Sequence, residues 1–113
     1  MPFQLSPAEE QVRKMSQEYA ERVIIPRRKE LEIDDRAIWE EQIEQQGKTG
    51  FHLHIVPREE GGTGIGYIAS CIAIEELNAA WPELCFVEFY EFAYYFAKAT
   101  GGEIEKKFLP GII

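Results

Sequence analysis

Cysteine and histidine are scarce in this 113-residue chain, and no long apolar run occurs in it. The two cysteines, Cys71 and Cys85, stand apart, with no Cys-x-x-Cys pair. That excludes a thiolate metal knot and a secreted disulfide scaffold, and it points to a reduced compartment, the cytoplasm. Both cysteines lie in apolar helical contexts, where the residue acts as a small hydrophobe. His52 and His54 are the only histidines. A strand through this stretch would set both imidazoles on one face, but no third ligand stands at metal spacing. Two ligands do not complete a zinc site, so the expectation is no metal and partly exposed structural histidines. No Ser-His-Asp or Cys-His arrangement has a spacing argument behind it.

Positive charge is also short. Lysine and arginine number 12 against 20 acidic residues, leaving a net charge of −8. Phosphate-backbone binding needs clustered lysine and arginine, so nucleic acid is excluded as a partner. The acidity reads as a solvated surface. Glu9, Glu10, Arg13 and Lys14 interrupt the N-terminus, which rules out a signal-peptide core there. The richest apolar run, Phe86 to Ala97, is too short to cross a bilayer and carries Glu88 and Glu91. There is no internal repeat, low-complexity run or linker. The whole chain reads as one domain, and a chain of this length buries roughly two-thirds of its unfolded surface, enough for a single core.

Glycine, by contrast, is concentrated. The chain turns on residues 51 to 77. The apolar run Phe51 to Val56 is ended by Pro57, which lacks an N–H and fixes φ. Four glycines then fall within six residues: Gly61, Gly62, Gly64 and Gly66. Pro57, Gly61, Gly62 and Gly64 are assigned a structural turn, with Gly62 and Gly64 expected to hold backbone angles that alanine strains. Gly64-Ile65-Gly66-Tyr67-Ile68-Ala69 fits a G-x-G-x-x-A dinucleotide fingerprint on paper. That motif needs a strand running directly into the turn, and Pro57 with seven loop residues intervenes.

Helical signals flank the turn. Ser6, Pro7 and Glu9 form a capping box with proline at the first helical position. Val12, Met15, Tyr19 and Val23 follow at helical steps, with Ile24 beside the last, up to a break or kink at Pro26. Asp34 or Asp35 caps a second helix to about Gln46, burying Ile38, Trp39 and Ile43, with Gly47 and Gly50 as its stop. The third helix, about Ile65 to Ala80, is apolar on most sides and therefore central. Trp81-Pro82-Glu83 punctuates the chain. The fourth helix, about Pro82 to Ala99, carries Phe86, Phe89, Tyr90, Phe92, Tyr94, Tyr95 and Phe96 around a narrow strip of Glu88, Glu91 and Lys98. The last runs from Glu103 to Leu109, with Ile104 and Phe108 inward and Pro110-Gly111 as stop. Glu75-Glu76 and Glu88/Glu91 resemble carboxylate pairs, but Glu-x-x-His is absent, so surface or salt-bridge roles are expected.

The stretch HIVPREEGGTGIGYIASCIAIEEL resembles the acyl-CoA dehydrogenase family. That family shows a V/I-P-E-x-x-G-G-x-G turn and then a helix ending in E-E-L, matched by Val56, Pro57, Gly61, Gly62, Gly64, Glu75, Glu76 and Leu77. Ile25-Pro26-Arg27, Trp39, Gly50-Phe51 and the run Gly101, Gly102, Lys106, Lys107, Phe108, Leu109, Pro110 extend the resemblance along nearly the whole chain. Two features depart from it. Glu60 stands where the family often has an aromatic residue, and Gln45 to Thr49 look like a short insertion.

The resemblance covers the family's N-terminal helical domain only. It implies an all-α fold, an orthogonal or up-down bundle of about five helices over residues 1–113, with the β-domain and C-terminal domain absent beyond Ile113. In the family those domains carry the FAD contacts and the usual base; a glutamate takes the α proton of an acyl-CoA thioester and FAD takes the β hydride. FAD and acyl-CoA are thus implied for a completed enzyme and neither for this chain alone, and no catalytic residue is assigned. The fourth helix forms part of the acyl pocket in the family. Counting back from Lys106-Lys107-Phe108-Leu109 puts Glu88 and Phe92 at or near its floor, four residues apart on one helix face. Phenylalanine there implies a short or blocked pocket. Aromatics on several sides of this helix imply that the chain is not a monomer; a second copy or complementary dehydrogenase domains are the expected partners. The alternative reading is a stand-alone, non-catalytic helical interaction or dimerisation module.

Overall fold

The computed structural model describes residues 4–28, 36–80 and 87–113. The expected caps Asp34 and Asp35, the Trp81-Pro82-Glu83 punctuation, Cys85 and Phe86 lie outside the described residues, as does the side chain of Ile38. Five α-helices and four short 3-10 or π segments make up the described chain, and no strand occurs among the described residues. The helices are α1 (Pro7–Tyr19), α2 (Arg36–Thr49), α3 (Tyr67–Ala80), α4 (Val87–Thr100) and α5 (Gly102–Ile112). They form a slab of 44 × 42 × 18 Å, about two helix layers thick.

The start of α1 is built as the sequence predicts. Ser6 Oγ accepts the Glu9 N–H at 3.1 Å, and the Glu9 carboxylate accepts the Ser6 N–H at 2.8 Å. Such a cap is worth about 1 kcal/mol. The buried stripe, however, is not the expected one. Val12, Ser16, Ala20 and Ile24 face the core, while Met15 is exposed and Tyr19 and Val23 are half-buried. The cause is the partner helix. α1 packs along α3, which presents Ala69, Ala73, Leu77 and Ala80. Small side chains on both helices let them approach closely, so Ser16 and Ala20 take the contact and bulky Met15 does not. Ser16 settles its hydroxyl on the Val12 carbonyl at 2.8 Å. Glu76 then ties the two helices at their edge, accepting from Gln17 at 3.2 Å beside Arg13 at 3.9 Å.

Pro26 does not end the helical path. Ala20–Ile24 widens into a π-turn, in which the Ile25 N–H reaches the Ala20 carbonyl. A 3-10 turn over Ile25–Arg27 follows. Widening and then tightening the backbone carries the proline ring past the preceding turn, which a regular α-helix cannot do. Arg27 consequently reaches Glu41 of α2 at 2.7 Å.

α2 runs through Gly47 and stops at Gly50, whose φ of 75° only glycine adopts readily. At Gly47 a Cβ would meet the tip of the Tyr90 side chain, its hydroxyl, at 2.9 Å, so that ring would have to shift to admit one. Ile43 is exposed, and the buried side of α2 carries Gln42 and Gln46 instead, with Trp39 half-buried against the core. In α5 the expected stop is also crossed. Pro110 lies inside the helix, and Ile104 and Phe108 face outward. α5 packs mainly on α4, and one neighbouring helix cannot cover its apolar side.

Phe51–Ile55 is a 3-10 turn and not a strand. The glycine loop folds back over it. The Thr63 N–H donates to the Leu53 carbonyl at 3.0 Å, Gly64 to Val56 at 3.0 Å and Gly66 to His54 at 2.8 Å. At the crossing, a Cβ on Gly62 would lie 2.1 Å from the Val56 carbonyl oxygen. Close backbone approach therefore requires glycine at 62, whose φ is outside the left-handed region. Gly61 (φ 100°), Gly64 (φ 64°) and Gly66 (φ 118°) are the positive-φ residues of the glycine stretch.

These two causes separate experimentally. Gly62→Ala forces backbone apart and should cost about 3 kcal/mol, lowering Tm by roughly 10 °C. Gly64→Ala meets only ordinary contacts and should cost about 1 kcal/mol. Thermal unfolding of both variants checks the order; equal losses would contradict it.

Candidate functional site

α4 divides cleanly by helical position. Val87, Tyr94 and Ala97 are buried on one side. Glu88, Phe89, Phe92, Tyr95 and Phe96 are exposed on the other. The one-turn link at Gly101 brings α5 back alongside α4. Between them lies an open groove of about 620 Å³, lined by Phe92, Ala93, Phe96, Ala97, Ile104 and Phe108. Phe92 and Phe96 stack with ring centroids 6.2 Å apart. Phe92 is 71% exposed. Of the two expected pocket residues, Phe92 therefore lines the groove, while Glu88 sits on the same exposed face beyond its lining.

The aromatics are thus not uniformly buried or exposed, and Tyr94 shows why. Its hydroxyl donates to Glu60 at 2.5 Å, and the Lys98 ammonium reaches Glu60 at 2.8 Å and Glu105 at 3.1 Å. The Lys98 and Tyr94 hydrogen bonds hold the Glu60 carboxyl below its ordinary range. Burial, reinforced by Glu60, pushes the Tyr94 phenol up to about 12. Glu60 thus draws Tyr94 inward and pins the glycine loop, α4 and α5 together. A second groove of about 580 Å³ opens on the other side of α5, between Glu60, Glu105, Lys106, Leu109 and Ile113.

Glu91 accepts a hydrogen bond from the Ser70 hydroxyl of α3. Burial raises its carboxyl, partly offset by that hydroxyl and reinforced by the charge of Glu88. Glu75 is exposed, and Glu76 is engaged with α1. Among the described residues no group of three or more metal-ligating side chains forms. The N–H groups that a phosphate would need at the glycine turn are already taken: Gly62 by Pro57, Gly64 by Val56 and Gly66 by His54. The turn cannot cradle a dinucleotide. What remains among the described residues is the open apolar groove between α4 and α5.

A match to the family model described as acyl-CoA dehydrogenase, N-terminal domain, spans residues 6–113. The chain belongs to this family. Searches of the curated proteins and of the solved structures return no match. The signature residues of the acyl-CoA dehydrogenase N-terminal domain divide into two groups here. Gly62, Glu76 and Leu77 serve the domain's own packing. Lys106, Lys107 and Phe108 face outward from α5.

The histidines are buried, not partly exposed. His52 stacks on Tyr90 at 4.6 Å, and its Nε2–H donates to the Ile112 carbonyl at 2.8 Å. His54 pairs through Nδ1 with the Thr63 hydroxyl at 2.9 Å. His52 Nδ1 and His54 Nε2 are buried without a partner. His52 thus ties the end of α5 to the 3-10 turn, a role no local spacing in the sequence signals. Burial lowers both imidazoles, and His52 adds to the lowering at His54.

A depressed histidine keeps its full contribution to stability above the ordinary value near 6.5 and loses it as pH falls through the folded values. Each histidine should contribute a slope of at most about 1.4 kcal/mol per pH unit in that window. Glu91, being raised, works with the opposite sign, so the comparison must be made between proteins. Tm measured from pH 7.5 to 5, with pH values chosen on the histidine scale of about 6.5, should fall more steeply for the native chain than for a His52→Gln/His54→Asn variant. Parallel curves would show that the imidazoles stay accessible.

Proposed function

We propose that this chain serves as the N-terminal part of an acyl-CoA dehydrogenase-like flavoprotein, an oxidoreductase for α,β-dehydrogenation of acyl-CoA thioesters. Its contribution is acyl-pocket and packing surface, and it is inactive alone. Family membership supports the reading, and the single observation that carries it is the outward groove with Phe92 on its wall. FAD does not fit the described residues, because the turn amides are engaged and both grooves are open. A cofactor is held by a pocket that buries most of its surface. The cofactor contacts and the base therefore belong to complementary dehydrogenase domains.

In that assembly the α4 face meets the end of the acyl chain. Phe92 and Phe96 fill the space with rings, which favours short acyl groups. Glu88, at the edge of the same face, sets the limit of the apolar region, since an ionised carboxylate resists burial beside hydrocarbon. No helix among the described residues is long and apolar enough to cross a membrane, and we assign the assembly to the cytoplasm. The same exposed face also fits the second reading, a non-catalytic interaction module.

Mixing the chain with FAD alone should give no stoichiometric yellow complex; tight flavin uptake would overturn the assignment of the cofactor site elsewhere. Adding β- and C-terminal dehydrogenase domains should restore acyl-CoA oxidation. In the restored enzyme Phe92→Ala should raise kcat/KM for longer acyl thioesters relative to short ones by roughly tenfold. Flavin reduction followed with a chain-length series measures it. No activity in any such mixture would leave the interaction module as the function.

A further inference from the structure

α5 is held near its two ends. No side chain of it is fully buried, although the helix carries Ile104, Phe108, Leu109 and Ile112. Near its start, Lys98 of α4 reaches Glu105 at 3.1 Å. At its end, the His52 Nε2–H donates to the Ile112 carbonyl at 2.8 Å, and Ile113 lies close to Gly61. Gly101 and Gly102 link it to α4 with φ of 68° and 56°. No atom from elsewhere in the fold lies within 4 Å of where either Cβ would be, so the link can swing without collision. Of these anchors only His52 has a side chain of the type that changes charge between pH 5 and 8.

The closed position of α5 leaves no room for that charge. His52 is only 3% exposed. With Nε2–H given to Ile112, the neutral ring keeps its lone pair on Nδ1, which is buried without a partner. A proton added at Nδ1 becomes an N–H with no acceptor among the described residues, on a charged ring shut away from water. A buried donor left unmade is costly, and more so on an ion. The surroundings do not offset this. Tyr90 of α4 stacks on the ring as a neutral phenol, its hydroxyl given to the Ile43 carbonyl of α2. His54, on the same turn, opposes a second positive charge and is itself held by Thr63 of the glycine loop. Arg58, Glu59 and the Tyr67 end of α3 share a cavity with His54. Glu60 and Glu105 are both engaged by Lys98, and Glu91 by Ser70 of α3. The Ile112 carbonyl favours the cation, but burial outweighs it.

We propose that His52 makes α5 an acid-released flap: the ring takes its proton when the end of α5 lifts from the 3-10 turn, with Gly101 and Gly102 as the hinge. Lifting Ile112 uncovers the ring edge at Nε2, and water then stabilises the imidazolium. The sign follows from linkage. The lifted form binds the proton more readily than the closed one, so acid shifts the population toward it and neutral pH closes it. The two grooves that flank α5 become one when it lifts. The flap does not rest on the dehydrogenase reading, since every group in it belongs to this chain.

Amide hydrogen exchange of the native chain from pH 7.5 to 5, corrected for the intrinsic pH dependence of exchange, is the test. Protection of the α5 amides should fall several-fold per pH unit on acidification, with about tenfold as the limit for one linked proton. At every pH α5 should exchange faster than α1 and α3, whose exchange needs the core to open. His52→Gln keeps a donor for the Ile112 carbonyl and takes no proton, so its α5 protection should be flat with pH. His54→Asn should keep the native slope in α5. If His52→Gln fails to fold, the native chain still decides by nuclear magnetic resonance: the His52 ring signals and the α5 amide signals should titrate together. Protection in α5 that ignores pH in the native chain overturns the proposal. So does α5 exchanging no faster than α1 and α3, a His52→Gln slope equal to the native one, or a His52 ring that titrates while the α5 amides stay unmoved.

Discussion

The fold depends on one close backbone crossing, where Gly62 passes over the Val56 carbonyl. The loop lies flat on the 3-10 turn only because nothing projects from residue 62 toward that oxygen. Once it lies flat, Thr63, Gly64 and Gly66 find carbonyl partners at residues 53 to 56. Those bonds set the direction in which α3 leaves and bring Glu60 within reach of Tyr94 and Lys98. They also seat His54 against Thr63. Remove the crossing and both the α1–α3 core and the α4–α5 pair lose their common reference.

Two kinds of polar residue hold the layers together. Glu60 works at the solvent edge, where its bonds to Tyr94 and Lys98 orient helices while water screens much of their worth. His52 and His54 work inside, where each buried donor or acceptor left unmade is a cost. Tyr19 belongs to the second kind: its phenol is pushed up to about 12 by burial and has no partner. Its ring packs edge-on against Phe51, 5.6 Å away, and that apolar contact is what places it. The interior is therefore small and partly polar, and the larger aromatic surface lies outside it.

Features with a local cause were legible in the sequence. The Ser6–Glu9 cap and the Gly50 stop follow from residue chemistry within one turn, and the E-E-L segment from a pattern on one helix. Features set by a partner were not. Helical periodicity selects large apolar side chains, so it chose Met15 over Ser16 and Ala20, although α3 presents a surface only small residues can approach. It chose Ile43 where Gln42 is buried, and it turned Ile104 and Phe108 inward although α5 has a single main neighbour. Pro26 was readable as a disturbance but not as one that a π-turn absorbs. In the candidate site, the shared face of Glu88 and Phe92 was readable from their spacing. That face's exposure depends on the two-layer slab, which no local pattern encodes.

α5 also has a kinetic character. It is anchored by one histidine bond at its end, one lysine bridge near its start and its contact with α4. A helix without a buried side chain opens at little cost to the rest of the molecule. Its backbone amides should therefore exchange with solvent through local opening, and those of α1 and α3 more slowly, with the unfolding of the core. The groove is accordingly bounded by one wall that is fixed and one that breathes, and whatever settles against it tightens the wall by holding it closed.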